Sequence, residues 1–436
     1  MTWSNRYTAI LGMLLMSTLL HAQIPVPGDT ASRSILLLNG KAHLGNGEII
    51  DRSAIGIKDG KLDMVLAAID VRVDTTKYDT IIHINGKEVY PGFIAPNSKL
   101  GLVEIDAVRA SRDYDEVGSL NPHVRSLTAF NTESRIIPTI RTNGVLIVQS
   151  TPKGGTISGT SSIFQLEGWN WEDAVLKVDD GIHLNWPIDF PWRRRDDPKE
   201  IKKAKENYKK SIKEIEDFFA KAEAYQKIDY RLEKDLKMEA MTALFQKKQK
   251  LFIHADRVNQ ITDAIYFFDR YDFELVLVGG YESWLVADLL KDRNIPVILR
   301  RVHSLPMNED DEVDLPYKLP KILSDKGLLV ALENSGSMEA MGSRNIAFYA
   351  GTAVAYGVDK EAALSMITLN TAKILNIDNR VGSLELGKDA TLFVSEGDAL
   401  DMRGNDVSHA FVQGKLIDLD NPQKYLYRKY KAKYQD

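Results

Sequence analysis

From Ser34 to Tyr90 short apolar runs alternate with turn dipeptides. Ile35–Leu38, Ala54–Ile57, Met64–Leu66, Ile81–Ile84 and Lys87–Tyr90 are separated by Asn-Gly, Gly-Asn-Gly, Asp-Gly and Asn-Gly. Turns of this kind join strands into hairpins, which predicts an all-β segment in a sandwich or small barrel. The pattern then changes. Continuous apolar runs at Val145–Val148, Leu251–Ile253, Leu275–Val278, Val297–Leu299 and Leu328–Leu332 alternate with helical stretches. Buried strands spaced by helices mark βα units around a parallel sheet. Between Pro198 and Lys250 lies a helix-rich insertion. In it Ile201, Ala204, Tyr208, Ile212, Ile215, Phe219, Ala222 and Tyr225 recur every three or four residues and define one buried face. The chain then returns to β, with strands expected at Gly382–Glu385, Ala390–Val394, Ser408–Val412 and Leu416–Ile417. A β module interrupted by an α/β block predicts one small domain built from both chain ends, with a barrel between them.

The first residues stand apart from this pattern. Arg6 is the only charged side chain among residues 1–28, an apolar run extends from Ala9 to Leu20, and Ala22 offers a small residue for cleavage. This is the layout of a secretory signal peptide, too short to span a bilayer. The expected location is therefore the periplasm or the extracellular space, with no membrane span after removal of the leader. Cysteine is absent from the 436 residues, so an exported protein of this size relies on its core rather than on disulfides. Thiol nucleophiles and thiolate metal ligands are excluded. The formal charge of −5 becomes −6 when Arg6 is lost, which argues against a nucleic-acid partner.

Three ordered segments carry a family likeness: AIGIKDGKLDMV, KEVYPGFIAPNSKLG and NTAKILNIDNRVGSLELGKDATLFV. Together they resemble an amidohydrolase of the imidazolonepropionase and dihydroorotase kind. Pro91-Gly92-Phe93-Ile94 is similar to the opening of the first barrel strand. Asn370, Ala372 and Leu375 resemble the last barrel helix, and Gly382 to Ala390 the return to the sandwich. The resemblance implies an α/β fold: a (β/α)₈ TIM-type barrel, active at the C-terminal ends of its strands, plus a small β-sandwich. The expected organisation is a leader at 1–22, a linker at 23–33, sandwich strands at 34–90, a barrel at 91–381 with its helical insertion at 198–250, sandwich strands at 382–420 and a tail at 421–436. It further implies hydrolysis of C–N bonds in a small or peptide-like substrate, with divalent metal such as zinc activating a water.

The family's metal ligands are a His-x-His pair on the first strand, a Lys or Glu on the fourth, histidines on the fifth and sixth and an Asp on the eighth. Here the first pair is replaced by Asn97 and Lys99; Asn binds zinc poorly and a protonated Lys not at all. His254 holds the fifth-strand position, Gly279 the sixth, and Ser335 the eighth, with Glu333 and Asn334 beside it. One retained ligand does not make a catalytic zinc site, so metal is expected to be absent or weakly bound. Lys99 is expected to place its ammonium in the mouth, where an ion would otherwise balance the remaining carboxylates. On this reading Lys99, His254 and Ser335 are the candidate catalytic residues, with Asn97, Trp169, Trp171, Gly279 and Asn334 around the substrate. An alternative metal set would combine His254 with His183, His303 and Asp180.

Two further features bear on the mouth. The Gly/Ser/Thr-rich stretch KGGTISGTSS lacks the ending of a P-loop and reads as a pocket-shaping loop or a plain turn. Trp169, Trp171, Trp186 and Trp192, followed by Arg193 to Arg195, either face a ligand or pack the insertion onto the barrel. Two function classes stay open: a C–N hydrolase, and a catalytically silent binding protein on the same scaffold. As partners, the reading allows a small-molecule or peptide-like ligand, and either a homo-oligomer or pairing with an intact paralogue.

Overall fold

A computed structural model describes residues 27–28, 33–69, 73–191, 196–228, 233–336 and 338–434. The leader, Trp192 and Arg193 to Arg195 lie outside the described residues. The first strands follow the turn chemistry of the sequence: β1 (Ile35–His43), β2 (Ile49–Lys58), β3 (Lys61–Ala67), β4 (Thr80–His83) and β5 (Glu88–Pro91). The β2–β3 hairpin turns at Asp59 and Gly60, both at positive φ, as a tight two-residue turn demands.

Eight strands then form the second sheet. They are β6 (Phe93–Ser98), β7 (Val145–Ser150), β8 (Ile157–Gln165), β9 (Val175–Asn185), β10 (Lys250–Ala255), β11 (Leu275–Gly279), β12 (Val297–Leu299) and β13 (Val330–Leu332). They are hydrogen-bonded in sequence order. Between β13 and β6 the ring is completed by Met366 and Ile367, whose carbonyls accept from Leu332 (3.3 Å) and Ile94 (2.9 Å). The result is a nearly closed eight-stranded barrel. Alternate residues of all eight strands, among them Ile94, Ile147, Ile163, Phe252, Val278 and Ala331, share one core cluster with Ala372 to Val381. Their neighbours along each strand pack outward against the helices.

The barrel departs from eight parallel βα units at one place. β8 runs antiparallel to both β7 and β9. Only residues 151–156 separate β7 from β8, whereas a parallel crossover takes a dozen residues or more. The chain can therefore only turn back. This corrects the reading of KGGTISGTSS: its first residues are a turn, but Ile157 to Ser162 are buried strand. The serines and threonines there have polar partners inside the barrel wall, so polarity alone was a poor guide.

The last strands, β14 (Leu392–Ser395), β15 (Val407–Val412) and β16 (Lys415–Leu416), join β5 and so complete one eight-stranded sheet to which both chain ends contribute. Gly382–Glu385 is irregular rather than a strand, because Gly382 adopts φ 92° beneath the backbone of Thr368 and Leu369. The sheet is tied to the barrel through His43. Its Nδ1 lies 2.7 Å from Glu361, its Nε2 3.3 Å from Glu88, and its ring stacks on Tyr90. Burial alone would push the imidazole's pKa down, but the two carboxylates outweigh it and hold the value above 6.5.

The insertion forms a helix at Pro198–Gln226, capped by the Asp197 carboxylate. Its second half buries Ile215, Phe218, Phe219, Ala222 and Tyr225, while Ile201, Ala204 and Tyr208 are only half-covered. Trp186 packs edge-on against Phe267 and Phe268.

Candidate functional site

At the C-terminal ends of the barrel strands a cavity of about 330 Å³ opens. Asn97, Lys153, His254, Gly279, Glu333 and Ser335 line its floor, and Trp186, Phe190, Arg257 and Arg300 its sides. Each floor residue stands at or just beyond a strand end, so neighbouring strands aim different chemistry at one volume.

Asn97 organises the first side. It sits near the end of β6 with φ 52°, a left-handed conformation that Asn tolerates better than most residues. Its backbone N–H donates to Gln149 (2.9 Å), and its side-chain amide donates to Glu333. Its side-chain and backbone oxygens accept from Lys153 Nζ at 2.6 and 3.1 Å. The same ammonium lies 3.4 Å from Glu339. Lys153 therefore supplies the ammonium of the cavity floor, with Arg257 and Arg300 at its sides.

Lys99 does not, contrary to the sequence expectation. In a regular strand residues 97 and 99 would share a face, but the left-handed turn at Asn97 breaks the alternation. Lys99 Nζ instead faces Asp106 at 3.5 Å and lies 4.6 Å from the centre of the Tyr114 ring, with its side chain 12% exposed. Trp169, Trp171 and Asn334 also stand outside the cavity lining. Trp169 is exposed, Trp171 packs on the core edge, and Asn334 is engaged by Tyr349 and by the Glu339 carbonyl. His303 bonds Thr352 at 2.7 Å in a separate open depression, because the loop after β12 carries it away from the barrel axis. Gly279 lines the floor at φ 99°, where a Cβ would come within 2.9 Å of Asp256.

A second network runs through the barrel wall. Asp180 accepts from Ser161 Oγ (2.6 Å) and from Gln149 Nε2 (2.8 Å). Ser161 Oγ lies 2.8 Å from His183 Nε2, and His183 Nδ1 lies 2.9 Å from His254 Nε2. All of this chain except its last ring is buried. Burial raises the Asp180 carboxyl above its ordinary 3.8; in the arrangement in which Ser161 donates to it, His183 donates through Nε2 and His254 through its own Nε2. The remaining nitrogen, His254 Nδ1, then carries a lone pair. Burial pulls both imidazoles down, His183 well below 6.5 and His254 to about 3, with the Lys153 charge adding to the effect on each. Both are neutral at pH 7.

The donors present do not suit a divalent metal. Both nitrogens of His183 and one of His254 are spent within the chain, the Asn97 oxygens face an ammonium, and Glu333 is bonded to Asn97. Among the described residues no three His, Asp or Glu side chains converge as a ligand set. His183 and His254 meet as one of the alternative sets required; His303 and Asp180 do not join them around a point.

Glu333 is buried, and burial raises its carboxyl from 4.5 to about 7 against the pull of Lys153. A carboxyl raised in the fold stabilises it fully below the unfolded value of 4.5, and that contribution is lost as pH rises from 4.5 to about 7. Glu333→Gln keeps an oxygen for Asn97 and removes the ionisation. The variant is expected to gain about 3 kcal/mol over the parent at pH 8 and less than about 1 kcal/mol at pH 5. Denaturant unfolding at the two pH values reads this directly; equal differences at both would refute it.

Lys153, Gln149 and Ser161 escaped the sequence patterns. A signal for Lys153 did exist, since it opens the turn that follows the second barrel strand. Nothing in the sequence distinguished Gln149 or Ser161 from ordinary polar residues.

An amidohydrolase family profile matches residues 318–417. Comparison with curated proteins finds no match. An amidohydrolase from Thermotoga maritima is similar in structure, with a TM-score of 0.76, 25% identity, and coverage of 88% of this chain and 99% of that one. A Xaa-Pro dipeptidase with bound methionine shares the fold at 13% identity, TM-score 0.53, covering 88% of this chain and 100% of that one. The A. niger ochratoxinase does so at 13% identity, TM-score 0.52, covering 89% and 96%.

Proposed function

From the premise that this chain belongs to the amidohydrolase superfamily, we propose that it recognises a small peptide-like ligand at its barrel mouth without a metal. The observation that carries this reading is the Lys153 ammonium, held by both Asn97 oxygens and facing Glu339. It stands among the residues that replace the superfamily's metal ligands, and supplies the positive charge an ion would otherwise bring. The cavity suits a ligand of dipeptide size. Aromatic Trp186 and Phe190 offer apolar contact, while Arg257 and Arg300, paired with Glu282 and Asp256 at 2.8 and 2.9 Å, keep positive charge on the cavity sides. The leader-like residues 1–22 support export, so the ligand would be met outside the cytoplasm.

A second reading, C–N hydrolysis without metal, has its own support in the Asp180–Ser161–His183–His254 chain. A lone pair on His254 Nδ1 would accept a proton from an attacking water only as developing negative charge offsets the burial and the Lys153 charge that hold its pKa near 3.

The test is calorimetric titration with Xaa-Pro dipeptides, N-acyl amino acids and cyclic ureas, on protein dialysed against chelator, alongside turnover assays with and without zinc. Saturable binding that survives chelation and disappears in Lys153→Met is the expected outcome. Chelator-resistant turnover lost in His254→Ala would favour the second reading. Stoichiometric zinc whose removal abolishes turnover would defeat both.

A further inference from the structure

The last described helix, Pro422–Tyr434, buries none of its side chains. Its root is fixed: Asn421 donates to Thr142, accepts from the Lys424 N–H, and Gln423 accepts from Thr139. Both threonines belong to the barrel helix Ile137–Arg141 and its end. The helix therefore leaves the body from a fixed root, and beyond it none of its side chains is buried among the described residues.

Its composition is one-sided. Five of its residues are Lys or Arg and none is Asp or Glu, while the rest of the chain has 51 basic residues against 61 acidic. Arg428 is taken up by Asp420 at its root. Lys429, Lys431 and Lys433 form no ion pair among the described residues. Leu426, Tyr427, Tyr430 and Tyr434 fall within a stripe of about 100° at helical spacing. Tyr427 and Tyr434 are 65% and 76% exposed. Lys431 and Lys433 flank that stripe on opposite sides.

We propose that this helix docks on an anionic lipid surface. Tyrosine has an apolar ring and a polar hydroxyl, which places it at headgroup depth. Lysines on both flanks can extend their ammonium groups to lipid phosphates while their stems cover the apolar stripe. An acidic protein partner would satisfy the lysines but gives no reason for a continuous aromatic stripe between them. The occupied surface would hold the barrel close to a membrane without any span, and indeed no described helix is long and apolar enough to cross one. The inference stands independently of what the barrel binds.

Co-sedimentation of the full chain with vesicles tests it, using phosphatidylcholine alone and phosphatidylcholine mixed with phosphatidylglycerol. Because the N-terminal segment is the same in every arm, the readout is the difference between vesicle types and between variants. The parent is expected to prefer the anionic vesicles by at least about tenfold, less at high salt. Lys429→Glu/Lys431→Glu/Lys433→Glu should erase that preference, and Tyr427→Ser/Tyr430→Ser/Tyr434→Ser should weaken binding to the same vesicles. Equal binding to both vesicle types, a preference untouched by charge reversal, binding to soluble polyglutamate but not to vesicles, or a dimer broken by the tyrosine variant would each overturn the proposal.

Discussion

Replacing Lys153 by methionine is expected to destabilise the protein by about 3 kcal/mol at pH 8 and by much less at pH 5. The reason is the pair of buried carboxyls that share its charge. Burial raises both Glu333 and Glu339, and the Lys153 charge opposes it most strongly on each, with Lys99 adding a smaller pull on Glu339. Without the ammonium both groups must take up protons to remain buried, which costs more as pH rises. A methionine keeps most of the stem's packing, so the loss reports charge rather than volume. The same substitution removes a cation that helps to hold His254 near 3. Its titration, followed by the ring-proton resonance, should move toward the ordinary value of 6.5. Stability that is unchanged at pH 8, together with an unmoved His254 titration, would show that Lys153 does not balance the cavity.

A second large effect is expected at the other end of the same strands. Arg141 and Glu167 form an ion pair with side chains only 4% and 5% exposed. Arg141 also donates to the Leu166 carbonyl at 3.2 Å, and burial pulls its pKa down despite the carboxylate. Arg141→Met leaves Glu167 buried without a counter-charge and should cost roughly 3–5 kcal/mol. Adding Glu167→Leu should recover most of that loss, since the remaining charge is then gone as well. Denaturant unfolding of the two single variants and the double variant closes the cycle. A double variant as unstable as the sum of the singles would show that the pair acts through something other than its mutual charge. The pair links the helix Ile137–Arg141 to the residue just past β8. The β7–β8 unit carries Gln149 and Ser161, with Lys153 in its turn, so the unit must be held for the cavity to keep its shape.

The hydrophobic pattern predicted several strands well because each is decided locally. Asp59-Gly60 could only be a tight turn, and the apolar runs at 251–253, 275–278 and 297–299 could only be buried strand. The strand at 157–165 was hidden for the opposite reason. Its polar residues are buried by partners distant in sequence, such as Asp180 for Ser161 and the Pro122 carbonyl for Thr160, which periodicity cannot register. Lys99 and Lys153 make the same point at the cavity. Alternation along β6 predicts Lys99 inward, but one left-handed residue turns it away, and a lysine 54 positions later enters the space.

By itself, then, the order of residues determined that β modules at both ends flank an α/β block and that the chain resembles one superfamily. Those are matters of local turn chemistry, hydrophobic period and residue identity. Only the folded barrel decided which cation faces Glu333 and Glu339, that His183 meets His254, and that His303 stands apart. Charge balance inside a cavity depends on distances between strand ends, and those distances exist only once the sheet has curled nearly shut.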